Sequence, residues 1–234
     1  MVIYLEDQEE FDGLVRTVKQ HARVNFGIWS FLNGSKTPNF TNHLEVVEHN
    51  GQTYLVKTSK FLSGLLYNSK STINSIKGKK AEFLWDGQRQ QHESEVLDQL
   101  LGEGVKVPER VFTQESRVLV LKYYEGEETK LVLRDRLRYP HVLADLSLEL
   151  DKIHQIGLHG EPSTNNTFVF GEDSYWADFE RFSRKGSTVD RARELVEFIN
   201  SVVRHSYRSL EEVTSVVFEN YSCSQVVDLA RKVI

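Results

Sequence analysis

The amino-acid sequence predicts an α+β protein whose first half is rich in β-strands and whose second half is mostly helical. In the first half, aromatic and β-branched runs alternate with turn residues, which is typical of antiparallel strands. After Glu128, apolar residues recur mainly at helical spacing. An acidic segment, Glu125 to Glu128, separates the two patterns. We therefore expect two lobes, residues 1–125 and residues 126–234, with a ligand cleft between them.

The first lobe is predicted to contain a helix over residues 7–22, an antiparallel sheet and a second helix over residues 81–101. Asn50-Gly51 lies between two apolar runs, and this dipeptide is the strongest short signal for a β-hairpin. The run "VKVPERVF" contains a predicted strand that includes Pro108, and a proline within a strand favours an edge position in the sheet. The other predicted strands lie in the runs 23–32, 43–49, 53–59 and 117–124.

The second lobe is predicted to contain helices and one small hairpin. A helix ending at Gly157 carries apolar residues on one face: Leu143, Leu146, Leu150 and Ile153. Two short strands, "NTFVF" and "SYWADF", flank a turn at residues 171–173. Three amphipathic helices follow and complete a reduced helical lobe.

Composition and charge exclude several classes of protein. With Cys223 as its single cysteine, the chain forms no intrachain disulfide and no thiolate zinc site. The net charge of −5 does not favour nucleic acid as the main partner. The first residues are acidic and lack the apolar run of a signal peptide, and no 18-residue apolar run crosses a membrane. We expect a soluble, cytoplasmic protein without a membrane association.

Lys57 and Glu93 are candidates for an ion pair that phosphoryl transfer requires. A lysine must reach the phosphates of the nucleotide, and an acidic residue must hold that lysine. Lys57 ends a predicted strand, and Glu93 lies in the helix that follows it in the sequence. Glu95 is the competing acid, but it lies about 200° around the helix from Glu93. Each residue taken alone is also typical of a solvated surface position.

Glu161, Asn166 and Asp178 are candidates for the remaining roles. Glu161 and Asn166 have the spacing E-x-x-x-x-N, and Asp178 follows a short strand. A loop that folds back on itself would set the Glu161 carboxylate beside an acceptor hydroxyl. Oxygen ligands from Asn166 and Asp178 suit Mg²⁺ or Mn²⁺ rather than zinc. Taken singly, such residues more often cap loops, and an Asn before a strand often forms an Asx-turn.

The order of these residues resembles that of the protein-kinase-like superfamily, in its small atypical branch. "LHGEPSTNNTFVF" is similar to the H-G-D-x-x-x-x-N loop of RIO-type kinases and of the kinase in the KEOPS tRNA-modification complex. Aminoglycoside phosphotransferases and lipopolysaccharide-core sugar kinases have loops of the same form. "ADFERFSR" resembles their D-F-G or D-F-E segment, and the helical C-terminal segment resembles the reduced tail of the KEOPS kinase. The resemblance covers about residues 40–222 and implies a bilobal protein-kinase-like fold, with a β-rich N-lobe, one helix facing the cleft and a mostly helical C-lobe.

The resemblance also implies site roles and cofactors. Lys57 and Glu93 would form the ion pair that anchors the phosphates of ATP, Glu161 would be the catalytic carboxylate, and Asn166 and Asp178 would bind Mg²⁺ or Mn²⁺. Backbone groups of the segment from Leu121 through Tyr123 to Glu125 would bind adenine, and the loop at Gly34 and Ser35 would contact phosphate. His159 matches a loop histidine that is structural in the family, whereas His154 is interpreted as a core or surface residue at a helix end.

Three departures from the family pattern leave the function open. Lys57 is not preceded by a G-x-G-x-x-G loop, Glu161 stands where the family has Asp, and no A-P-E segment follows Asp178. The first hypothesis is an atypical Ser/Thr protein kinase that acts on its own chain or on a dedicated partner protein. The alternatives are a pseudokinase or ATPase switch that regulates a partner, and a small-molecule kinase. The segment of residues 58–92 is longer than a kinase lobe requires. We expect it to be either a packed insertion or a docking surface for a partner.

Overall fold

The computed structural model describes residues 13, 16, 42–59, 86–114 and 118–234. These residues fall into two compact units. The first contains an antiparallel sheet and the beginning of a helix, up to Ser94, and it ends at Tyr123. The second contains residues 95–108 and 124–234, which are mostly helical with one small sheet. The α+β class is therefore confirmed, with a β-rich part and a mostly helical part; the boundary at residue 125 and the cleft stay predictions.

The first unit is built on a four-stranded antiparallel sheet. Asn50 and Gly51 have φ angles of 50° and 73°, which is the two-residue turn that the Asn-Gly dipeptide predicts. The sheet order is β1-β2-β4-β3, so β3, which follows Pro108, lies at an edge. The strands are β1 (Asn42–His49), β2 (Gln52–Ser59), β3 (Arg110–Gln114) and β4 (Val118–Lys122). One face of the sheet buries Val47, Tyr54, Val56, Phe112 and Val120.

Helix α1 (Asp86–Gly102) follows β2 in the described chain and ends one residue beyond the helix that the sequence predicts. Its buried side chains include Glu93, Val96, Leu97 and Leu100. These residues recur at three- and four-residue spacing, so they share one face of the helix. The same face also buries Arg89, four residues before Glu93, so it combines apolar residues with two charged groups, which require partners when they are buried.

The second unit surrounds the long helix α3 (Tyr139–Ile156). The face that the leucine spacing predicts is buried, since Leu143, Leu146, Leu150 and Ile153 have no exposed area. The short helix α2 (Thr129–Val132) precedes α3, and a three-stranded sheet has the order β5-β6-β7. Its strands are β5 (Glu127–Glu128), β6 (Thr167–Phe170) and β7 (Asp173–Trp176). The remaining helices are α4 (Thr188–Ser206), α5 (Leu210–Glu219) and α6 (Ser224–Arg231).

Serine residues determine where α4 and α5 begin. Ser187 accepts a hydrogen bond from the Asp190 amide while the Asp190 side chain accepts one from the Ser187 amide. Ser209 and Glu212 form the same reciprocal arrangement at α5. Each capping box satisfies donors that the first turn of a helix otherwise leaves unpaired.

Several predictions lie outside the described residues. They include the strand over residues 23–32, the loop with Gly34 and Ser35, and most of the segment 58–92. Of the helix predicted over residues 7–22, only residues 13 and 16 are described, and both are helical. No helix within the described part of the chain is long and apolar enough to cross a bilayer.

Candidate active site

In the first unit, Lys57 and Glu93 form a buried ion pair. Strand β2 holds Lys57 opposite Leu119 of β4, and only 5% of the lysine is exposed. Glu93 projects from α1 and is 2% exposed. Its Oε2 atom lies 2.7 Å from the Lys57 ammonium. Glu95, the competing acid, is exposed.

A buried lysine needs such a partner because an isolated charge in the protein interior is strongly destabilising. The pair also fixes the direction in which the ammonium group points. These two features suit a lysine that contacts phosphates, but the same geometry is compatible with a structural pair. The role of Lys57 and Glu93 in nucleotide binding therefore stays a prediction.

The segment predicted to bind adenine has several of its amide groups engaged. Leu121 is buried at the centre of the sheet, in register with Leu55 and Arg110. The Tyr123 amide donates to the Thr53 carbonyl at 3.1 Å. Tyr123 would therefore have to contact a base through its carbonyl or its side chain, which is 39% exposed.

In the second unit, the loop from Leu158 to Asn166 packs directly against the segment that follows Asp178. Leu158 forms an isolated β-bridge with Ser183. Gly160 has a φ of 91°, and a Cβ atom at this position would overlap the Arg181 carbonyl oxygen. Both the backbone angle and the close approach require glycine here. The His-Gly-Glu sequence thus brings Glu161 next to Arg181.

His159 connects this loop to the residue before Asp178. The ring is fully buried, and its Nε2 atom lies 3.1 Å from the Ala177 carbonyl oxygen. Burial lowers the pKa of His159, so the ring is neutral near pH 7. Since a carbonyl only accepts, Nε2 carries the proton, and Nδ1 accepts from the Glu161 amide at 3.3 Å. His159 is therefore a bridge between two loop segments.

Glu194 of α4 holds the backbone of the same loop. Its carboxylate accepts hydrogen bonds from the amides of His159, at 2.9 Å, and Gly160, at 2.6 Å. Burial alone would raise the pKa of Glu194, but the hydrogen bonds from His154 and from the Gly160 amide lower it. The carboxylate is therefore ionised and acts as an acceptor for the residues just before Glu161.

His154 and Tyr221 extend the Glu194 network. His154 Nε2 lies 3.0 Å from Glu194 Oε2, and Nδ1 lies 2.6 Å from the Tyr221 hydroxyl. An ionised carboxylate only accepts, so Nε2 donates to Glu194, and Nδ1 and the Tyr221 hydroxyl share the second hydrogen bond. Burial raises the pKa of Tyr221, which keeps the proton on its hydroxyl. His154, interpreted from the sequence as a core or surface residue, is thus a buried link in this network.

Asn166 and Asp178 are brought together by backbone hydrogen bonds. The Ala177 amide donates to the Asn166 carbonyl at 2.8 Å, and the Asn166 side-chain amide donates to the Glu161 carbonyl at 2.9 Å. Asp178 has a φ of 62°, which is uncommon for a residue other than glycine and costs of order 1–3 kcal/mol. Such strain is often found at functional sites.

The donor set fits a hard divalent cation. Because the Asn166 nitrogen donates to Glu161, the Asn166 side-chain oxygen faces away from that contact. An amide oxygen and a carboxylate on neighbouring segments are ligands that Mg²⁺ or Mn²⁺ prefers. Asp178 also has the buried Glu180 beside it, with a carboxylate oxygen within 4.8 Å of its own. Asn166, Asp178 and Glu180 are thus residues of the second unit that would hold such an ion.

The Glu161 side chain lies beside Arg181. The Arg181 Nε atom is 3.3 Å from Glu161 Oε2, and the side chains are 11% and 37% exposed. Glu161 is therefore reachable from solvent on one side and paired with a cation on the other. The sequence reasoning identified Glu161 but not Arg181.

Four aromatic rings form a cluster next to the loop, on the small sheet of the second unit. Phe168 and Tyr175 are stacked, with ring centroids 5.0 Å apart and planes 8° apart. Tyr124 lies within 5.8 Å of Phe168, Phe170 and Tyr175. Phe168, Tyr124 and Tyr175 are half-buried and Phe170 is exposed, so the cluster leaves part of its apolar surface accessible to a ligand.

Sequence reasoning missed Glu194, His154 as its partner, Tyr221, Arg181 and the aromatic cluster. A signal was present for Glu194, because it occupies the apolar face of α4 with Leu195 and Phe198 as buried neighbours. A carboxylate on such a face must have a partner. The other contacts join residues far apart in the sequence, and no local pattern indicates them.

Comparison with known proteins identifies a kinase domain among the solved structures. No family model matches the chain, and no curated protein matches it. The kinase domain of Mycobacterium tuberculosis PknI, solved as a double mutant, has a TM-score of 0.47 and 12% sequence identity. The match covers 82% of this chain and 90% of that chain. This likeness is too weak to assign a family or an activity.

Proposed function

We propose that this protein is an ATP-dependent phosphotransferase that acts on hydroxyl groups, with Ser or Thr of a protein as the acceptor. The observation that carries the proposal is the arrangement of Glu161, Asn166 and Asp178 in the second unit. The Asn166 side chain donates to the Glu161 backbone, and the Asn166 backbone accepts from the residue before Asp178. The backbone segments that carry the Glu161 carboxylate and the proposed oxygen ligands Asn166 and Asp178 are therefore connected by hydrogen bonds.

In the proposed reaction, the acceptor oxygen attacks the γ-phosphorus of ATP. The bond between that phosphorus and the β–γ bridging oxygen breaks, and ADP leaves with the electron pair. The proton of the acceptor hydroxyl passes to the Glu161 carboxylate. A bound Mg²⁺ or Mn²⁺ would neutralise phosphate charge, and Asn166 and Asp178 would hold it.

Residues of both units have further proposed roles. Lys57, oriented by Glu93, would contact the α and β phosphates. Phe168 and Tyr175 would stack on the adenine ring, because a purine is flat and apolar on its faces. Glu194 would keep the loop amides in place, so that the carboxylate of Glu161 does not drift from the acceptor.

Transfer of labelled γ-phosphate by the purified full chain tests this proposal. The acceptors are the protein itself and casein, with Mg²⁺ or Mn²⁺ present. We expect Asp178→Ala and Glu161→Gln to reduce transfer by at least about 10²-fold. Asp228→Ala, an exposed carboxylate on α6, is the matched control and should retain full activity. Equal transfer by the wild type and Asp178→Ala would reject the metal site.

A second candidate function is a nucleotide-binding module that regulates a partner without transferring phosphate. The Glu161–Arg181 contact favours it, because it engages the carboxylate that would otherwise meet an acceptor hydroxyl. This candidate predicts that ATP with Mg²⁺ raises the melting temperature while no phosphate is transferred. Loss of the thermal shift in Lys57→Met would then identify Lys57 as a nucleotide contact.

A further inference from the structure

The backbone on both sides of the Glu161–Arg181 contact is fixed. Phe179 and Phe182 flank Arg181 and have no exposed area, and the Phe182 amide donates to the Phe179 carbonyl at 3.0 Å. Gly160 lies against the Arg181 backbone so closely that a Cβ would overlap the Arg181 carbonyl. The backbone from which the Arg181 side chain projects towards Glu161 is therefore set by buried packing rather than by a free surface loop.

The two side chains differ in how freely they move. Arg181 is 11% exposed, whereas Glu161 is 37% exposed. A glutamate has one more rotatable bond than an aspartate, so a half-exposed glutamate without a partner would populate several rotamers. The buried Arg181 Nε atom, 3.3 Å from Glu161 Oε2, selects those rotamers that point the carboxylate towards it.

The length of the glutamate matches this contact. Shortening the side chain by one methylene would withdraw the carboxylate by about 1 Å or more. Because the present separation is 3.3 Å, an aspartate on the same backbone would lie beyond ion-pair distance from Arg181. The separation of Glu161 and Arg181 therefore suits a glutamate rather than an aspartate at position 161.

We propose that Arg181 is a positioning residue that holds the Glu161 carboxylate in place and allows a glutamate to serve where the resembling kinases have an aspartate. The inference rests on the proposed phosphotransferase function and adds a residue to that same site. Arg181 acts through Glu161, so removing Arg181 should misplace the carboxylate without changing nucleotide binding. A misplacement of about 1 Å in an active site costs on the order of 10²-fold in rate.

Kinetics of single and double variants test the dependence of Arg181 on Glu161. For Arg181→Met we expect kcat to fall by about 10- to 10²-fold, with KM for ATP within about twofold of the wild type. Arg181→Lys should restore part of the loss, because it keeps the charge but not the guanidinium geometry. Arg184→Met, which removes an exposed arginine three residues further on, should leave kcat unchanged.

The decisive comparison uses Glu161→Asp as the background. If Arg181 acts through the glutamate, adding Arg181→Met to Glu161→Asp should change kcat by less than about threefold, because the contact is already lost. A loss in that background equal to the loss in the wild type would overturn the inference, since Arg181 would then act on another group.

A measurement without turnover separates this inference from the proposed function. In the full-length protein, the Arg181 Nε–H resonance should shift on Glu161→Gln and stay unchanged on Glu172→Gln, a control at an exposed turn residue. An unchanged resonance in both variants would overturn the pairing even if phosphate is transferred. A shift confined to Glu161→Gln, together with an inactive wild type, would support the pairing and reject the phosphotransferase.

Discussion

The two units hold their candidate site residues by different kinds of contact. In the first unit, one side-chain ion pair of 2.7 Å joins Lys57 directly to Glu93, and both residues are buried. In the second unit, the Glu194 carboxylate holds the amides of the two residues that precede Glu161, His159 and Gly160. The first arrangement depends on two charges, and the second distributes one charge over several hydrogen bonds.

This difference determines how each arrangement should respond to a substitution. Removing one partner of a buried pair leaves a single uncompensated charge in the interior, which is the most expensive outcome. Removing one member of a hydrogen-bond network leaves the other members partly satisfied. The comparison therefore predicts a series of losses in the free energy of unfolding. The loss should be largest for the Lys57–Glu93 pair and smaller for the outer hydrogen bonds of the Glu194 network.

The largest effect is expected for Lys57→Met, which leaves the Glu93 carboxylate buried without its cation. We expect a loss of about 3–5 kcal/mol in the free energy of unfolding. Replacing both residues, as Lys57→Met with Glu93→Met, should recover most of it because neither charge of the pair is then left in the interior without the other. Chemical denaturation of the three proteins measures this, and a loss below about 1 kcal/mol in the single variant would contradict a buried pair.

A smaller effect is expected for Glu194→Gln, which keeps the shape of the side chain but removes its charge. Hydrogen bonds to a charged group contribute about 1.5–3 kcal/mol, so we expect a loss of this size. Amide hydrogen exchange at His159 and Gly160 should become faster. Glu172→Gln, at an exposed turn, should change neither quantity. Unchanged exchange in Glu194→Gln would show that the loop is held by its packing alone.

Local patterns in the sequence predict much of the fold but only part of the site. Asn50-Gly51 predicted the hairpin because two positive φ angles favour these residues. The spacing of Leu143, Leu146 and Leu150 predicted the buried face of α3 because helical periodicity determines which side chains share a face. Both features depend on residues that are close together in the chain.

The network around Glu194 could not be predicted, because its members are distant in sequence. Glu194 lies 34 residues after Gly160, and Tyr221 lies 67 residues after His154. Periodicity shows that a residue is buried but not which polar group it meets. The match between Glu161 and Arg181 also depends on a close backbone approach that only the structure reveals.

Tyr221 lies at the outer end of the Glu194 network, and its substitution should reduce the free energy of unfolding by an intermediate amount. Tyr221→Phe removes the hydroxyl that is hydrogen-bonded to His154 Nδ1 and leaves that buried nitrogen without this partner. We expect a loss of about 1–3 kcal/mol in the free energy of unfolding. Tyr207→Phe is the matched control, since this ring is 75% exposed and keeps its contact with Arg134 after the change. Equal losses in both variants would mean that the hydrogen bond to His154 does not stabilise the fold.

The smallest effect on stability is expected for His205, which contacts the loop from Leu158 to Asn166 through Thr164. The His205 Nδ1 atom lies 2.6 Å from the Thr164 hydroxyl, two residues before Asn166. Burial lowers the pKa of His205, and the positive charges of Arg204, Lys130 and Arg134 lower it further. Protonation of His205 is therefore less favourable in the folded protein than in the unfolded chain.

The sign of the pH dependence follows from this difference in proton binding. Below the ordinary histidine pKa of 6.5, the unfolded chain binds more protons at this position than the folded protein. The contribution of His205 to stability is therefore complete above pH 6.5 and is lost as the pH falls through the lower pKa of the folded state. We expect less than about 1 kcal/mol, because the ring is partly exposed and its charge interactions are screened. Denaturation of the wild type and His205→Asn at pH 7.5 and pH 5.5 measures it: the variant, whose amide oxygen can still accept from Thr164, should lose less stability on acidification. An identical loss of stability in both proteins would show that other groups cause the acid sensitivity. The Thr164 hydrogen bond would then not depend on protonation of His205.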